Sequence, residues 1–246
     1  MAGPLVIFDC DGVLVDSEPL AVEELCAAIR EAGGDMGAAE AYARFLGRSS
    51  AATARILAED YGVILTGEIL ERMRLRLFAR FEAELSPCPG IGAAVDAVKA
   101  AGAAVCVASS SQPERVRLSL GATRLLAKFG DAIYSSSMVE NGKPAPDLFL
   151  HAARAMGAAP KDCVVVEDSA AGLRAARAAG MAALAYTGGG HAGPGRLAEL
   201  AATLSPDAIY DDHARLPALL GGLGLGLGPG PGPGAPGTGA PGTDAP

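Results

Sequence analysis

Short apolar runs that stop abruptly at polar residues alternate along this chain with stretches of helical periodicity. The run Leu5–Phe8 stops at Asp9, residues 104–108 stop at Ser109, and residues 163–166 stop at Glu167 and Asp168. Residues 132–134, Ala182–Tyr186 and Ala208–Tyr210 are weaker members of the same set. Near-continuous apolarity rich in β-branched side chains predicts strands buried on both faces. Between these runs, Ile91, Ala94, Val95 and Val98 recur at steps of three and four, as do Leu148, Ala152, Ala155 and Met156. Strands alternating with helices of this length predict βαβ units, right-handed connections and a parallel sheet.

Residues 17–85 break the alternation. They read as helical throughout, over 19–32, 38–46, 51–61 and 68–85, and the last stretch carries Leu70, Met73, Leu77, Phe78 and Phe81 on one side. A helical insertion placed just after the first strand of an α/β domain accounts for this. The expected division is an α/β core over 1–16 and 86–220, a helical cap over 17–85, and a Gly/Pro-rich flexible tail over 221–246. The chain would cross between core and cap near residues 14–17 and 84–89, which are the expected hinges.

Charge and composition narrow the partners. The 246 residues carry a net charge of −8, with a pI near 4.9 and a mean hydropathy of +0.28, and no large cluster of Lys or Arg occurs. Nucleic acid and anionic membranes both call for a basic face and are not expected partners. No apolar stretch reaches the length needed to cross a bilayer, and the first apolar run meets Asp9 and Asp11 at once, unlike a signal segment. A soluble cytoplasmic protein, a monomer or weak dimer, is expected. The five cysteines, Cys10, Cys26, Cys88, Cys106 and Cys163, lie mostly in apolar runs without metal-ligand spacing and read as buried thiols.

The chemistry gathers at the strand ends. Ligands of open parallel sheets bind beyond the carboxyl ends of the strands. Asp9, Asp11, Ser109, Glu167 and Asp168 should therefore converge on one rim. Four close carboxylates repel one another unless a cation neutralises them, and an all-oxygen site suits Mg²⁺, which favours phosphate-bearing substrates. Ser111-Gln112-Pro113-Glu114 reads as a capping box, placing Ser109 and Ser110 before a helix N-terminus able to hold an anion. Lys143, in Gly142-Lys143-Pro144-Ala145-Pro146-Asp147, can bring positive charge to the same rim. These groups suit phosphoryl transfer through an aspartyl-phosphate. Asp9 ends the strand and is the expected nucleophile; Asp11 is placed to protonate the leaving oxygen and then activate water. Ser109 and Lys143 would hold the phosphoryl oxygens.

The stretch Asp9-Cys10-Asp11-Gly12-Val13-Leu14-Val15-Asp16-Ser17-Glu18 resembles the first signature of the haloacid dehalogenase superfamily in its phosphatase form. Ser109 fits the second signature, Lys143 the third and Glu167-Asp168-Ser169 the fourth, over about residues 4–220. The resemblance is greatest to the β-phosphoglucomutase-like group, which includes sugar-phosphate and polyol-phosphate phosphatases. It implies a Rossmann-like core with an inserted helical cap. It also implies Mg²⁺ held by Asp9, the Asp11 backbone carbonyl and Asp168, with Glu167 in support.

The departures from the group bear on activity. Asp11 argues against a dehalogenase, which lacks an acid there. Ala21 stands where the mutase carries His, and Ser50 where it carries a cap-loop Arg, so a phosphatase of small sugar, polyol or sugar-acid phosphates is favoured over a phosphomutase. Arg48 and Glu18 are candidates for contacting the substrate, with a solvated surface arginine and a helix-terminal carboxylate as their plain alternatives. His151, His191 and His213 are not required by the reaction. A receiver-like phosphoaspartate domain or an inactive scaffold is the alternative of another class; the helical insertion and the acid ending the first strand argue against it.

Overall fold

The computed structural model describes residues 3–45, 48, 50–193 and 197–224. The elements in chain order are β1 (Leu5–Phe8), α1 (Glu18–Glu31), α2 (Ala38–Phe45), α3 (Ser50–Tyr61), α4 (Gly67–Glu84), α5 (Ile91–Ala100), β2 (Ala104–Ser109), α6 (Pro113–Ala122), α7 (Leu126–Phe129) and β3 (Ile133–Ser135). They continue with α8 (Asp147–Ala155), β4 (Cys163–Glu167), α9 (Ala170–Ala178), β5 (Ala182–Tyr186), α10 (Leu197–Leu204), β6 (Ala208–Tyr210) and α11 (Leu216–Gly222). Among the described residues, six strands form one parallel sheet in the order β3-β2-β1-β4-β5-β6.

Side chains on a strand alternate between faces, so each run feeds two cores. Val6, Phe8, Val107, Val164 and Val166 pack with Val95, Leu120 and Leu216 on one face. Leu5, Ile7, Cys106, Cys163 and Val165 pack with Phe149, Ala152 and Ala176 on the other. β1 pairs with β2 and β4, bringing Phe8 level with Val107 and Val166. The strand order reverses at β1, and a crevice opens there beyond the strand ends. This is a Rossmann-like α/β core with a helical insertion after β1.

The four inserted helices build a cluster of their own from Val22, Cys26, Ile29, Tyr42, Phe45, Leu57 and Ile69. α4 does not present the single face expected of it. Its early turns bury Ile69 in the helical cluster, while Leu77 and Phe81 join the core against the sheet. Phe78 stays half-buried under the Arg74 guanidinium. The chain enters and leaves the insertion side by side: the Asp16 amide donates to Ser86 O at 3.0 Å and the Cys88 amide to Leu14 O at 3.0 Å.

Three smaller expectations need correction. On α8, Ala155 is exposed and Phe149 and Ala153 are buried instead, because the helix packs on both β1 and β2. The capping box at 111–114 does not form. Gln112 holds the cap position of α6 without a side-chain bond, because the Ser111 hydroxyl is committed to Asp11. α11 runs through Gly222, past the expected tail boundary, and the tail beyond residue 224 lies outside the described residues. All five cysteines are buried and free. No helix among the described residues is long and apolar enough to cross a membrane.

Candidate active site

Lys143 is the hub of the strand-end cluster. Its ammonium donates to Asp9 Oδ1 at 2.7 Å, to Glu167 Oε1 at 2.6 Å and to Ala108 O at 3.0 Å. All three ammonium protons are used, and the side chain is only 3% exposed. Burial would lower its pKa, but Asp9 and Glu167 outweigh this and hold it above the ordinary lysine value. The second oxygen of Glu167 accepts from the backbone amides of Asp168 (2.9 Å) and Ser169 (2.8 Å) and from the Ser169 hydroxyl (2.9 Å). Ser169 in turn caps α9, accepting from the Gly172 amide at 3.0 Å. Glu167 is thus fully buried and fully satisfied, and it orients its neighbours.

Asp9 and Asp11 share a turn but not an environment. Burial pushes the Asp9 carboxyl well above the usual range; Lys143 opposes this, and Glu167 and Asp168 add to it. Asp9 Oδ2 takes no hydrogen bond from the described residues, so one oxygen is anchored and one is free. Asp11 accepts from Ser17 Oγ at 2.6 Å, Ser111 Oγ at 2.7 Å and Arg115 Nη2 at 2.9 Å. Burial would raise its pKa, but Arg115 and the two hydroxyls hold it below the ordinary value. The Arg115 guanidinium also lies over the Phe81 ring of α4, 5.3 Å from its centroid, and so touches both the sheet core and the insertion.

Asp168, one residue beyond β4, faces this turn. Gly12 has φ +80°, and a Cβ there would collide with the Asp168 carboxylate. The Asp168 carboxyl is raised well above its ordinary value by burial, with Glu167 adding to the rise. Glu18, half-buried at the start of α1, is pushed up to about 7 by burial, with Asp11 and Asp168 adding. His191 is fully buried, its Nε2 2.8 Å from Asp168 Oδ2, and burial lowers its pKa. The separation is short, but the ring N–H is not aimed at the oxygen, and neither ring nitrogen makes an aligned hydrogen bond.

One oxygen each of Asp9, Glu167 and Asp168 lies within 4.8 Å of the others. The donor set is hard, anionic and all oxygen, as Mg²⁺ requires; burial raises the Asp9 and Asp168 carboxyls, the neighbouring carboxylates add to the rise, and a cation would offset that repulsion. The residues fit a divalent ion.

The structure brings Asp9, Asp11, Ser109, Lys143, Glu167 and Asp168 to one rim. Ser109 is buried, its hydroxyl accepting from the Ser111 amide at 3.0 Å. Ser110 is exposed beside it and its carbonyl accepts from Ser136 Oγ at 2.9 Å. Arg48 is not gathered there: it is exposed, and its Nε donates to Arg44 O of α2 at 2.8 Å. Its neighbours Gly47 and Ser49, and the Ser50 side chain, lie outside the described residues. Motif spacing missed Ser17, Ser111 and Arg115; His191 was set aside as not required, although its loop after a strand could bring it to the rim. The spacing also missed Ser135, whose hydroxyl donates to Ser111 O at 2.7 Å, and His213, whose Nε2 lies 3.0 Å from Val13 O behind the Asp9–Asp11 turn. The serine run after β3 and the Gly-rich stretch before His191 were the available signals.

Comparison with known proteins agrees with this geometry. Residues 4–180 match the haloacid dehalogenase-like hydrolase family. The 6-phosphogluconate phosphatase of Escherichia coli K12 is 33% identical over 177 residues, 72% of this chain and 79% of that protein. A phosphorylated carbohydrates phosphatase of Thermotoga maritima is 31% identical, over 72% of this chain and 81% of its own length. The crystal structure of a haloacid dehalogenase family hydrolase from Deinococcus radiodurans R1, with bound phosphate and sodium, superposes with a TM-score of 0.74 at 31% identity, covering 93% of this chain and 99% of that one. The chain belongs to the haloacid dehalogenase-like hydrolase family, and it is an enzyme of that family's phosphatase kind, a phosphoric monoester hydrolase.

Proposed function

We propose that this enzyme is a Mg²⁺-dependent phosphatase that hydrolyses a small sugar, polyol or sugar-acid phosphate through an aspartyl-phosphate on Asp9. The observation that carries the reading is the division of labour within the Asp9 carboxylate: Lys143 anchors Oδ1 at 2.7 Å while Oδ2 is left free to attack. Asp9, Asp168 and the Asp11 carbonyl would hold the ion, with Glu167 orienting Lys143 and Asp168. When bound, Mg²⁺ neutralises the carboxylates and the phosphoryl charge.

In the reaction, Asp9 Oδ2 attacks phosphorus, and the bond to the leaving alkoxide breaks. Asp11, protonated from solvent once it is released from Arg115, gives that alkoxide the proton, and later takes one from the water that attacks the phosphoaspartate as the bond between Asp9 Oδ2 and phosphorus breaks. To do this Asp11 exchanges the Arg115, Ser17 and Ser111 donors for the substrate oxygen, and closure of the helical insertion over the rim excludes bulk water meanwhile. Lys143 and Ser109 stabilise the transferring phosphoryl group. Phosphatases of phosphorylated carbohydrates among the relatives support the substrate class.

The test is phosphate release from a panel of sugar, polyol and sugar-acid phosphates, with Mg²⁺ and with chelator, using Asp9→Asn as control. Metal-dependent release that the variant lacks is expected. Isomerisation of a hexose 1-phosphate without net release would overturn the hydrolase reading in favour of a mutase.

A further inference from the structure

The four strand-end segments account for every expected residue of the rim, yet a fifth segment closes against it. Residues 187–193 follow β5 and lie across the Asp9–Asp11 turn. The Gly190 amide donates to Asp16 Oδ1 at 2.9 Å, tying this loop to the segment that leads from β1 into the helical insertion. Behind that tie sits His191, fully buried. Its ring is wedged between two glycines: a Cβ at Gly12 would stand 2.6 Å from His191 Cε1, and one at Gly189 would stand 2.7 Å from Cε1 and 2.8 Å from Nδ1. Only residues without side chains allow the ring to reach Asp168.

Asp168 needs such a neighbour. Glu167 is held by four donated hydrogen bonds and Asp11 by three. No described side chain other than His191 brings a polar hydrogen-bearing group against the Asp168 carboxylate; His191 Nε2 lies 2.8 Å from Oδ2, in close contact although the N–H is not aligned on the oxygen. The repulsion of Glu167 and Asp9 would otherwise be free to turn that carboxylate out of the cluster. A buried imidazole without an aligned hydrogen bond lowers stability. Its presence therefore calls for a role beyond packing.

We infer that His191 is a positioning residue for Asp168: the loop after β5 is a fifth wall of the site, and its imidazole seats the carboxylate that would hold the metal ion. The inference rests on the reading of Asp168 as an ion-holding group.

Calorimetric titration of the full chain with MgCl₂, alongside melting curves with and without the ion, tests it. His191→Leu fills the same space without a donor. It is expected to weaken Mg²⁺ affinity roughly tenfold or more while the metal-free melting temperature stays level or rises. His191→Gln restores an N–H near Nε2 and should bind within about threefold of the parent, given that a supporting donor of this kind governs metal affinity. Gly189→Ala keeps the histidine but displaces its ring, and should reproduce the loss.

Parent-like Mg²⁺ affinity in His191→Leu overturns the inference and leaves the phosphatase reading standing. So does a fall in metal-free melting temperature that His191→Gln shares, because that marks a packing role alone. A parent chain that shows no saturable Mg²⁺ binding removes the ion-holding role of Asp168 and the inference with it.

Discussion

The strand-end rim and the helical insertion are both rich in charge, and their ion pairs have similar lengths. At the rim, Lys143 meets Asp9 at 2.7 Å and Glu167 at 2.6 Å, with side-chain exposures of 3%, 11% and 0%. In the insertion, Arg72 meets Glu31 at 2.6 Å with side-chain exposures of 49% and 30%, and Arg55 meets Glu59 at 3.0 Å with 64% and 56%. Arg44 and Asp60 form another such pair, each about half exposed. Water screens the second group and not the first. An exposed pair is held by either partner's freedom to find solvent, whereas a buried charge stripped of its partner has nowhere to go. The same bond length therefore means solubility and helix registry in one region, and chemistry in the other.

That contrast can be broken most sharply at the rim. Asp9→Asn preserves size and a hydrogen-bond acceptor for Lys143 but removes the nucleophile. Turnover should fall at least about a thousandfold with the circular dichroism spectrum unchanged; substantial residual hydrolysis would move the attack elsewhere. Lys143→Met leaves Asp9 and Glu167 facing each other without a cation. A loss of about 3–5 kcal/mol in urea unfolding is expected, with turnover lost as well. A near-neutral result would place Lys143 with the exposed arginines and dissolve the comparison.

A third test uses a buried group away from the carboxylates. His213 is fully buried, stacked 3.9 Å from the Tyr186 ring centroid, and burial lowers its pKa from 6.5 to about 4. A lowered pKa means that the unfolded chain binds the proton first as pH falls, so this contribution is complete above pH 6.5 and is lost progressively toward pH 4. The shift corresponds to roughly 3 kcal/mol. Urea midpoints of the parent should fall more steeply across this window than those of His213→Gln, and parallel curves would deny the burial effect. The smallest effect is expected in the insertion. Asp60→Ala should leave the urea midpoint within experimental scatter, since pairs as exposed as Arg44–Asp60 contribute little.

The two regions also differ in how far their residues could be found before folding. Asp9, Ser109, Glu167 and Asp168 stand where an apolar run ends, and that position carries them to the rim whatever else the chain does. Lys143 is reachable because a rigid Pro-rich loop delivers it into a helix. Arg115 has no such marker, and His191 has only the Gly-rich loop that follows an apolar run. Arg115 lies inside α6 and counts only because α4 and the Asp9–Asp11 turn pack on either side of it. Arg48 is the opposite case: its place in a polar loop suggested the substrate, and the structure turns it back onto Arg44. The α4 stripe failed for a related reason, since periodicity locates an apolar face without saying that two different cores will share it.

The sequence by itself determined the parallel sheet, the helical interruption after the first strand and the six groups that meet at the strand ends. These follow from local rules: alternation places the strands, and chain direction puts all their ends on one side. Only the tertiary structure decided which carboxylates are charged, which are saturated and which are supported. Asp9 and Asp11 are two residues apart and chemically alike, yet one is anchored by a buried lysine with an oxygen to spare and the other is held by three donors from Ser17, Ser111 and Arg115. Desolvation and hydrogen bonding set those states, and both depend on neighbours that are distant in the chain.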